Sequence, residues 1–181
     1  MKTATQNLEE DHIQILRLIK VMERITQLEN PDEVHLELII KVIREFADGQ
    51  HHAKEEQMLF PLLVEKGFSN ESGPVTVMLH DHEQGRLFVK GMVENMLLMK
   101  TGDLCAFQDI YTNMLGYTEL LKSHIAKENN VLFRMADQVL TNTEQERLQL
   151  EFAVVENETK TGRSKDDYIA MVDDLTGIYL P

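Results

Sequence analysis

Residues 51–60 read HHAKEEQMLF, and residues 124–133 repeat the phrase as HIAKENNVLF. In each copy a histidine and a glutamate stand four positions apart, as His51 and Glu55 do in the first. Side chains at this spacing lie one above the other on a helix face, so each copy presents an imidazole and a carboxylate in one direction. The repeat therefore predicts two similar helices that turn the same pair of side chains toward a common interior.

A second, shorter pattern is also doubled. Asp11-His12 precedes the first copy of the phrase, and Asp81-His82 precedes the second. The chain is therefore a tandem pair of units, each with an Asp-His step followed by a His-x-Ala-Lys-Glu step. Imidazole and carboxylate are common ligands of transition metals, so two such units can together build one shared metal site.

The composition suits one domain and argues against several partners. The 181 residues are 43% hydrophobic, which is enough for a core of ordinary size. The net charge of -13, from 31 acidic and 18 basic residues, argues against nucleic acid and anionic membranes. Cys105 is the single cysteine and cannot form an internal disulfide. Because no long apolar run or secretory leader is visible, we expect a cytoplasmic protein.

Apolar residues recur at three- and four-residue spacing between clusters of proline and glycine, which predicts an all-α protein. The first helix should stop near Pro31, where the second begins. Pro61 should kink or end the second helix. A third helix runs from Pro74 to near Gly102, and Asp103 can cap a fourth. Four long helices with short joints predict an up-down-up-down four-helix bundle.

The last part of the chain, residues 141–181, carries no pair of ligand-type side chains. It has two helix-start signatures, at Thr141 and at Ser164, each with an acidic residue three positions later. We expect one or two helices here that pack on the bundle formed by residues 1–140. Without a dimerisation heptad, the oligomeric state stays open.

The spacing of apolar residues also predicts which side chains face the bundle interior. In the fourth helix the inward row continues from Glu128 to Val131 or Leu132 and then to Met135. Tyr117 lies two turns before the histidine of the second repeat, on the same face. Its hydroxyl either reaches a polar interior or its ring fills the core, and we favour core filling.

Six side chains with metal-binding atoms fall on faces that otherwise carry Leu, Ile, Val and Met: His12, His51, Glu55, His82, His124 and Glu128. A buried carboxylate without a partner is strongly disfavoured, so this set needs neutralisation. Two cations provide it when each takes two imidazoles and both glutamates bridge them. Octahedral iron or manganese would keep space for an oxo or hydroxo bridge and one exchangeable position. The alternative is an ordinary helix-surface contact in each copy, which the repetition disfavours.

The neighbouring polar residues are expected to have lesser roles. His52 is rotated about 100° from its neighbour on a regular helix, and His80 about 200° from the next ligand, so both are assigned to the surface or the second shell. Glu56 is off the ligand face. Asp11 and Asp81 are either outer-shell acceptors for metal-bound imidazoles or simple surface charges.

These motifs resemble those of the hemerythrin-like, or HHE cation-binding, proteins, whose bundles hold a non-heme di-iron centre. The resemblance covers about residues 5–140 and is carried by EDH at 10–12, HHAKEEQMLFP at 51–61, MLHDHEQGR at 78–86 and HIAKE at 124–128. It implies that the four repeat histidines are terminal iron ligands and that Glu55 and Glu128 are bridging carboxylates. We therefore expect two iron ions, although the donors exclude neither zinc nor manganese.

Two departures separate this chain from the oxygen-carrying hemerythrins. Those carriers have a fifth histidine one turn before the third-helix ligand, where this chain has Met78, and their last carboxylate is an aspartate five residues after its histidine. The site is therefore expected to be nearly symmetric, with an open position on each iron. It resembles bacterial hemerythrin-like proteins associated with nitric oxide or peroxide responses and iron-centre repair.

The function implied by this resemblance is binding of, or reaction with, O2, nitric oxide or peroxide at open iron positions. The alternative is iron- or oxygen-responsive sensing, or iron-centre repair, without turnover of its own. A Cys-rich N-terminal module found in some repair proteins has no counterpart in the sequence. The ligand set does not decide between binding and turnover.

Overall fold

The computed structural model describes residues 2–103, 105–157 and 161–180, and within these ranges it is helical with no strand. The described ranges form six helices: α1 (Ala4–Ile25), α2 (residues 33–65), α3 (Pro74–Lys100), α4 (residues 106–139), α5 (Asn142–Asn157) and α6 (Lys165–Tyr179). Helices α1 to α4 form the predicted bundle, and α5 and α6 are the additional C-terminal helices, so the predicted fold class is confirmed. None of the helices described is long and apolar enough to cross a bilayer.

Short polar side chains and turn residues set where the bundle helices begin. Thr3 and Asp32 accept hydrogen bonds from first-turn amides of α1 and α2. Gly73, with φ of 103°, takes the left-handed conformation just before Pro74 begins α3. The carboxylate of Asp103, predicted as a cap, accepts a hydrogen bond from the amide two residues later, immediately before α4.

Helices α2 and α4 both contain wider, π-helical turns. These are Ile43–His52 and Glu55–Leu59 in α2, and Glu128–Leu132 in α4. The two shorter turns each begin at the glutamate of a repeat and are followed by an i to i−5 hydrogen bond, from the Phe60 amide to the Glu55 carbonyl in the first copy. Because π-helical turns are rare and often occur at functional sites, their shared position supports the equivalence of the two repeats.

The π-helical turns also explain two differences from the sequence predictions. Helix α2 does not end at Pro61, because this residue lies in the first turn of the α-helical segment Phe60–Glu65, where proline is tolerated. Met135, predicted to face inward, is 39% exposed, whereas Phe133 and Ala136 are buried. The extra residue in the π turn of α4 shifts the inward row, which a regular helical period does not anticipate.

Two apolar clusters fill the interior on either side of a polar layer. Along α1, His12 lies between Leu8 of one cluster and Ile15 of the other. The repeat histidines of α2, α3 and α4 likewise lie between members of the two clusters. The bundle therefore places its candidate ligands in one layer, with apolar packing above and below it.

The C-terminal helices α5 and α6 pack along α1 and α2. Both predicted capping boxes form, at Thr141 and at Ser164. Phe152 of α5 and Tyr168 of α6 are fully buried, and the Tyr168 hydroxyl donates a hydrogen bond to Glu45 of α2. These contacts hold the tail against the bundle, while the domain boundary at residue 140 stays a prediction.

Candidate metal centre

The six predicted ligand side chains meet in the polar layer, and each is at most 1% exposed. The imidazoles form two close pairs. The Nε2 atoms of His12 and His51 lie 3.0 Å apart, and those of His82 and His124 lie 3.2 Å apart. The first pair comes from the α1–α2 hairpin and the second from the α3–α4 hairpin, so each half of the tandem repeat supplies one pair.

The two glutamates connect these pairs. Glu55 has one carboxylate oxygen 3.6 Å from His51 Nε2 and the other 3.5 Å from His82 Nε2. Glu128 Oε2 lies 3.2 Å from the Nε2 atoms of both remaining histidines. Each carboxylate therefore lies between imidazoles of different hairpins, which is the placement that a ligand bridging two metal ions requires.

The chemistry of this donor set fits metal ions. None of the four carboxylate oxygens of Glu55 and Glu128 accepts a hydrogen bond from a described residue, although both side chains are fully buried. Burial and repulsion from Glu128 raise the pKa of Glu55 well above its usual value. Burial also acts to raise the pKa of Glu128, but the charge of His124 and the close contacts with both neighbouring imidazoles outweigh it and hold that pKa well below normal. Added positive charge is therefore needed before both carboxylates ionise together.

Asp11 and Asp81, from the two Asp-His steps, contact the histidines of the His-x-Ala-Lys-Glu steps that follow them. His51 Nδ1 donates a hydrogen bond to Asp11 at 3.3 Å, and His124 Nδ1 lies 3.4 Å from Asp81. Of the two roles considered for these aspartates, the structure shows contact with the imidazoles rather than a free surface position. Such partners fix the orientation and the tautomer of metal-binding imidazoles.

Glu56 and Asn129, which follow the glutamates of the two repeats, accept hydrogen bonds from the other two histidines. His82 Nδ1 donates to Glu56 and His12 Nδ1 to Asn129, both at 2.7 Å. Glu56 is off the ligand face, as predicted, yet it contacts the back of a candidate ligand. Sequence reasoning missed Asn129, and the signal that could have found it is its equivalence to Glu56 in the repeat.

Of the two positions predicted for His52, the surface or the second shell, the structure excludes the surface. This side chain is only 4% exposed, and its ring stacks on that of His82 with centroids 3.8 Å apart. The assumed rotation from the neighbouring residue applies to a regular α-helix, whereas the residue ends a π-helical turn. One group of potential ligand atoms lying within 4.8 Å of one another consists of His52, Glu55, His82 and His124. A second such group consists of His12, His51, Glu55 and Glu128.

A cavity of about 640 Å³ lies beside the second imidazole pair. Its lining includes His52, His82 and Tyr117, with Arg86 among its charged residues. The Tyr117 ring is buried in the core, as predicted, and burial raises the pKa of its hydroxyl. That hydroxyl has no hydrogen-bond partner among the described residues. The cavity gives small molecules a space next to this half of the polar layer.

Comparison with known proteins places these observations in a family. A family model described as the hemerythrin HHE cation binding domain matches residues 3–136. Similar curated chains include the iron-sulfur cluster repair protein YtfE of Pectobacterium atrosepticum (32% identical over 90 residues) and that of Musicola paradisiaca (34% over 92 residues). The probable iron-sulfur cluster repair protein of Haemophilus influenzae is 26% identical over 126 residues.

These three matches cover 49%, 49% and 66% of this chain, in that order. They cover 41%, 40% and 56% of the relatives, so the chain spans about half the length of the curated proteins it matches. No solved structure matches the chain.

Proposed function

The chain belongs to the hemerythrin HHE cation-binding family, and we propose on that basis that it holds a non-heme di-iron centre that serves the repair of iron–sulfur clusters. His12 and His51 would hold one iron, and His82 and His124 the other. Glu55 and Glu128 would bridge the two. The family match supports metal binding, and the assignment of iron and of each ligand is part of the proposal.

The observation that carries the metal centre is the pair of fully buried glutamates whose oxygens accept no hydrogen bond from a described residue. Native proteins rarely leave such groups unpartnered, and two ions between the imidazole pairs would satisfy all four oxygens. The acceptors behind the histidines keep protons on Nδ1 and leave Nε2 as the donor atom.

Repair is favoured as the function because the similar curated proteins carry that name. Bound iron would supply redox chemistry with small oxidants and would be exchangeable with other iron sites. This chain's residues bind and orient that iron, and the cavity beside His82 offers a space through which a small molecule reaches the layer.

The test is a repair assay with a matched histidine control. An enzyme that depends on a four-iron cluster is damaged with nitric oxide and incubated with iron-loaded protein, and its recovered activity is measured. We expect recovery with the wild type and with His80→Ala, because His80 is exposed on α3. His82→Ala should slow recovery at least tenfold, because loss of even an outer-shell partner typically costs about 10- to 100-fold in metal affinity or activity.

Equal recovery with metal-free protein or with His82→Ala would show that the centre has no part in repair. Metal analysis of protein from iron-replete cells is run alongside. Zinc or manganese in place of iron at full occupancy would overturn the assignment of the metal.

A second candidate function is direct binding of, or reaction with, O2, nitric oxide or peroxide. The cavity beside the second imidazole pair favours it, because its wall contains a candidate ligand. Anaerobic, reduced, iron-loaded protein is mixed with each molecule in turn and followed by absorption. Stoichiometric spectral changes without a damaged cluster present would support this function, and unchanged spectra with all three would exclude it.

A further inference from the structure

We propose that His52 is a fifth imidazole ligand, bound to the metal that His82 and His124 hold. The inference rests on the proposed di-iron centre and adds one donor to it. The repeat does not predict it, because the second copy has Ile125 at the equivalent position. It follows instead from the way the His52 side chain is held.

His52 is held in the same manner as the four repeat histidines. Its Nδ1 lies 3.2 Å from Asp48 Oδ1, one turn earlier on α2, in a hydrogen bond that leaves Nε2 free. The other four have an acceptor 2.7 to 3.4 Å from Nδ1. Metal-binding histidines almost always show this arrangement, because the outer acceptor fixes the ring and makes the inner nitrogen a better donor.

The His52 ring stacks on the His82 ring, with an interplanar angle of 17°. Because an imidazole binds a metal in its own plane, the two rings must tilt apart before both face one ion. The ligand atom of His52 falls in one group with those of Glu55, His82 and His124, all within 4.8 Å of one another. A purely apolar role would leave the second ring nitrogen next to a carboxylate and two imidazoles without a hydrogen-bond partner among the described residues, whereas one cation accounts for the whole group.

Arg86 of α3 donates hydrogen bonds to the carboxylates behind both stacked rings. Its Nε donates to Asp48 at 2.9 Å, and its Nη2 donates to Glu56 at 2.7 Å. Asp48 holds His52, and Glu56 holds His82. One guanidinium therefore fixes the acceptors of both imidazoles, which is the coupling expected when two rings must keep a common geometry.

The consequence is an asymmetric centre instead of the nearly symmetric one that the repeats suggest. The metal held by His82 and His124 would have three imidazoles, and its partner would have two. Fewer coordination positions then remain for an added ligand on the metal that His82 and His124 hold. The fifth histidine that oxygen carriers place one turn before the third-helix ligand, where this chain has Met78, is supplied here from α2.

The test is the substitution His52→Ile, which gives the first repeat the residue that the second repeat has. Iron-loaded wild type and variant are compared by Mössbauer spectroscopy on enriched iron and by release of iron to a chelator. We expect two distinct iron signals in the wild type. In the variant only one signal should change, and the iron that produces it should be released at least tenfold faster, as an order of magnitude.

Two irons in both proteins, with identical signals and release, would overturn the fifth ligand and leave the di-iron centre in place. A wild type that does not hold two irons would instead overturn the proposed function itself. If His52→Ile does not fold by circular dichroism, His52→Gln takes its place, because it keeps a polar side chain that can reach Asp48. His80→Ala is the matched control and should match the wild type in both measurements.

Discussion

The two repeats of the chain build the same local contacts in different surroundings. In each repeat the lysine binds the aspartate of the preceding Asp-His step at 2.5 Å, Lys54 to Asp11 and Lys127 to Asp81. The Lys54 side chain is 0% exposed, whereas that of Lys127 is 39% exposed. The repeated phrase thus sets the contacts around each imidazole pair, and the packing outside the bundle sets how far those contacts are removed from water.

The C-terminal helices produce this difference. Glu156 of α5 accepts a hydrogen bond from Lys54 at 2.7 Å. Lys165 of α6 lies 2.6 Å from Asp11 and 3.1 Å from Glu156. Two lysines and two carboxylates therefore form a largely buried network behind His51, where loss of one charge leaves its partners uncompensated. The corresponding contact of the second repeat, between Lys127 and Asp81, is partly exposed to solvent, which weakens it.

The largest effect is expected from the substitution Phe152→Ala in α5, the helix that covers the first repeat. Phe152 is fully buried, and its ring centroid is 5.4 Å from Lys54 Nζ. We expect the free energy of unfolding to fall by about 3–5 kcal/mol, from lost burial and the cavity left behind. Chemical denaturation measures it, with Leu150→Ala, at a residue 73% exposed on the same helix, as the control. Equal, small effects would mean that tail packing does not stabilise the first half.

The next prediction compares the substitutions Lys54→Met and Lys127→Met, which remove the equivalent lysines of the two repeats. We expect the first to lower the free energy of unfolding by about 3 kcal/mol, because buried Asp11 and partly buried Glu156 lose a shared partner. The second should change it by less than about 1 kcal/mol, because Lys127 is partly exposed. Denaturation curves of the metal-free proteins give both values. If both variants lower the free energy of unfolding by the same amount, the deeper burial of Lys54 does not contribute to stability.

A smaller effect is expected on iron binding from Asp11→Asn and Asp81→Asn. Both substitutions remove the charge behind a repeat histidine, and each should weaken iron binding by about 10- to 100-fold. Asp11→Asn should in addition destabilise the metal-free protein, because it removes a negative charge that pairs with Lys54 and Lys165. Asp81→Asn should leave the stability of the metal-free protein unchanged. Iron titrations and thermal melts separate the two quantities. Unchanged iron binding in both variants would remove these aspartates from the metal site.

The sequence was sufficient for the features that depend on short-range helical geometry. Spacing of four residues placed His51 near Glu55 and His124 near Glu128, and the apolar period brought these helices to a common interior. The fold class followed from the same period. The predicted set of six side chains does meet in one layer, and its role as the metal-ligand set stays a prediction.

The features that the sequence did not reveal depend on irregular turns or on packing between distant segments. A π-helical turn buries His52 and another shifts the inward row so that Met135 is exposed, and no regular period contains such turns. The burial of Lys54 depends on Glu156 and Lys165, which lie far along the chain. Hydrophobic spacing carries no information about which charges a tail will cover.

The most direct test of the shared centre is anomalous X-ray diffraction from crystals of the iron-loaded protein at the iron absorption edge. We expect two iron peaks in the polar layer. One should lie against His12 and His51, the other against His82 and His124, with the carboxylates of Glu55 and Glu128 between them. A single peak, or iron bound only outside this layer, would contradict the conclusion that the two repeats build one di-iron centre.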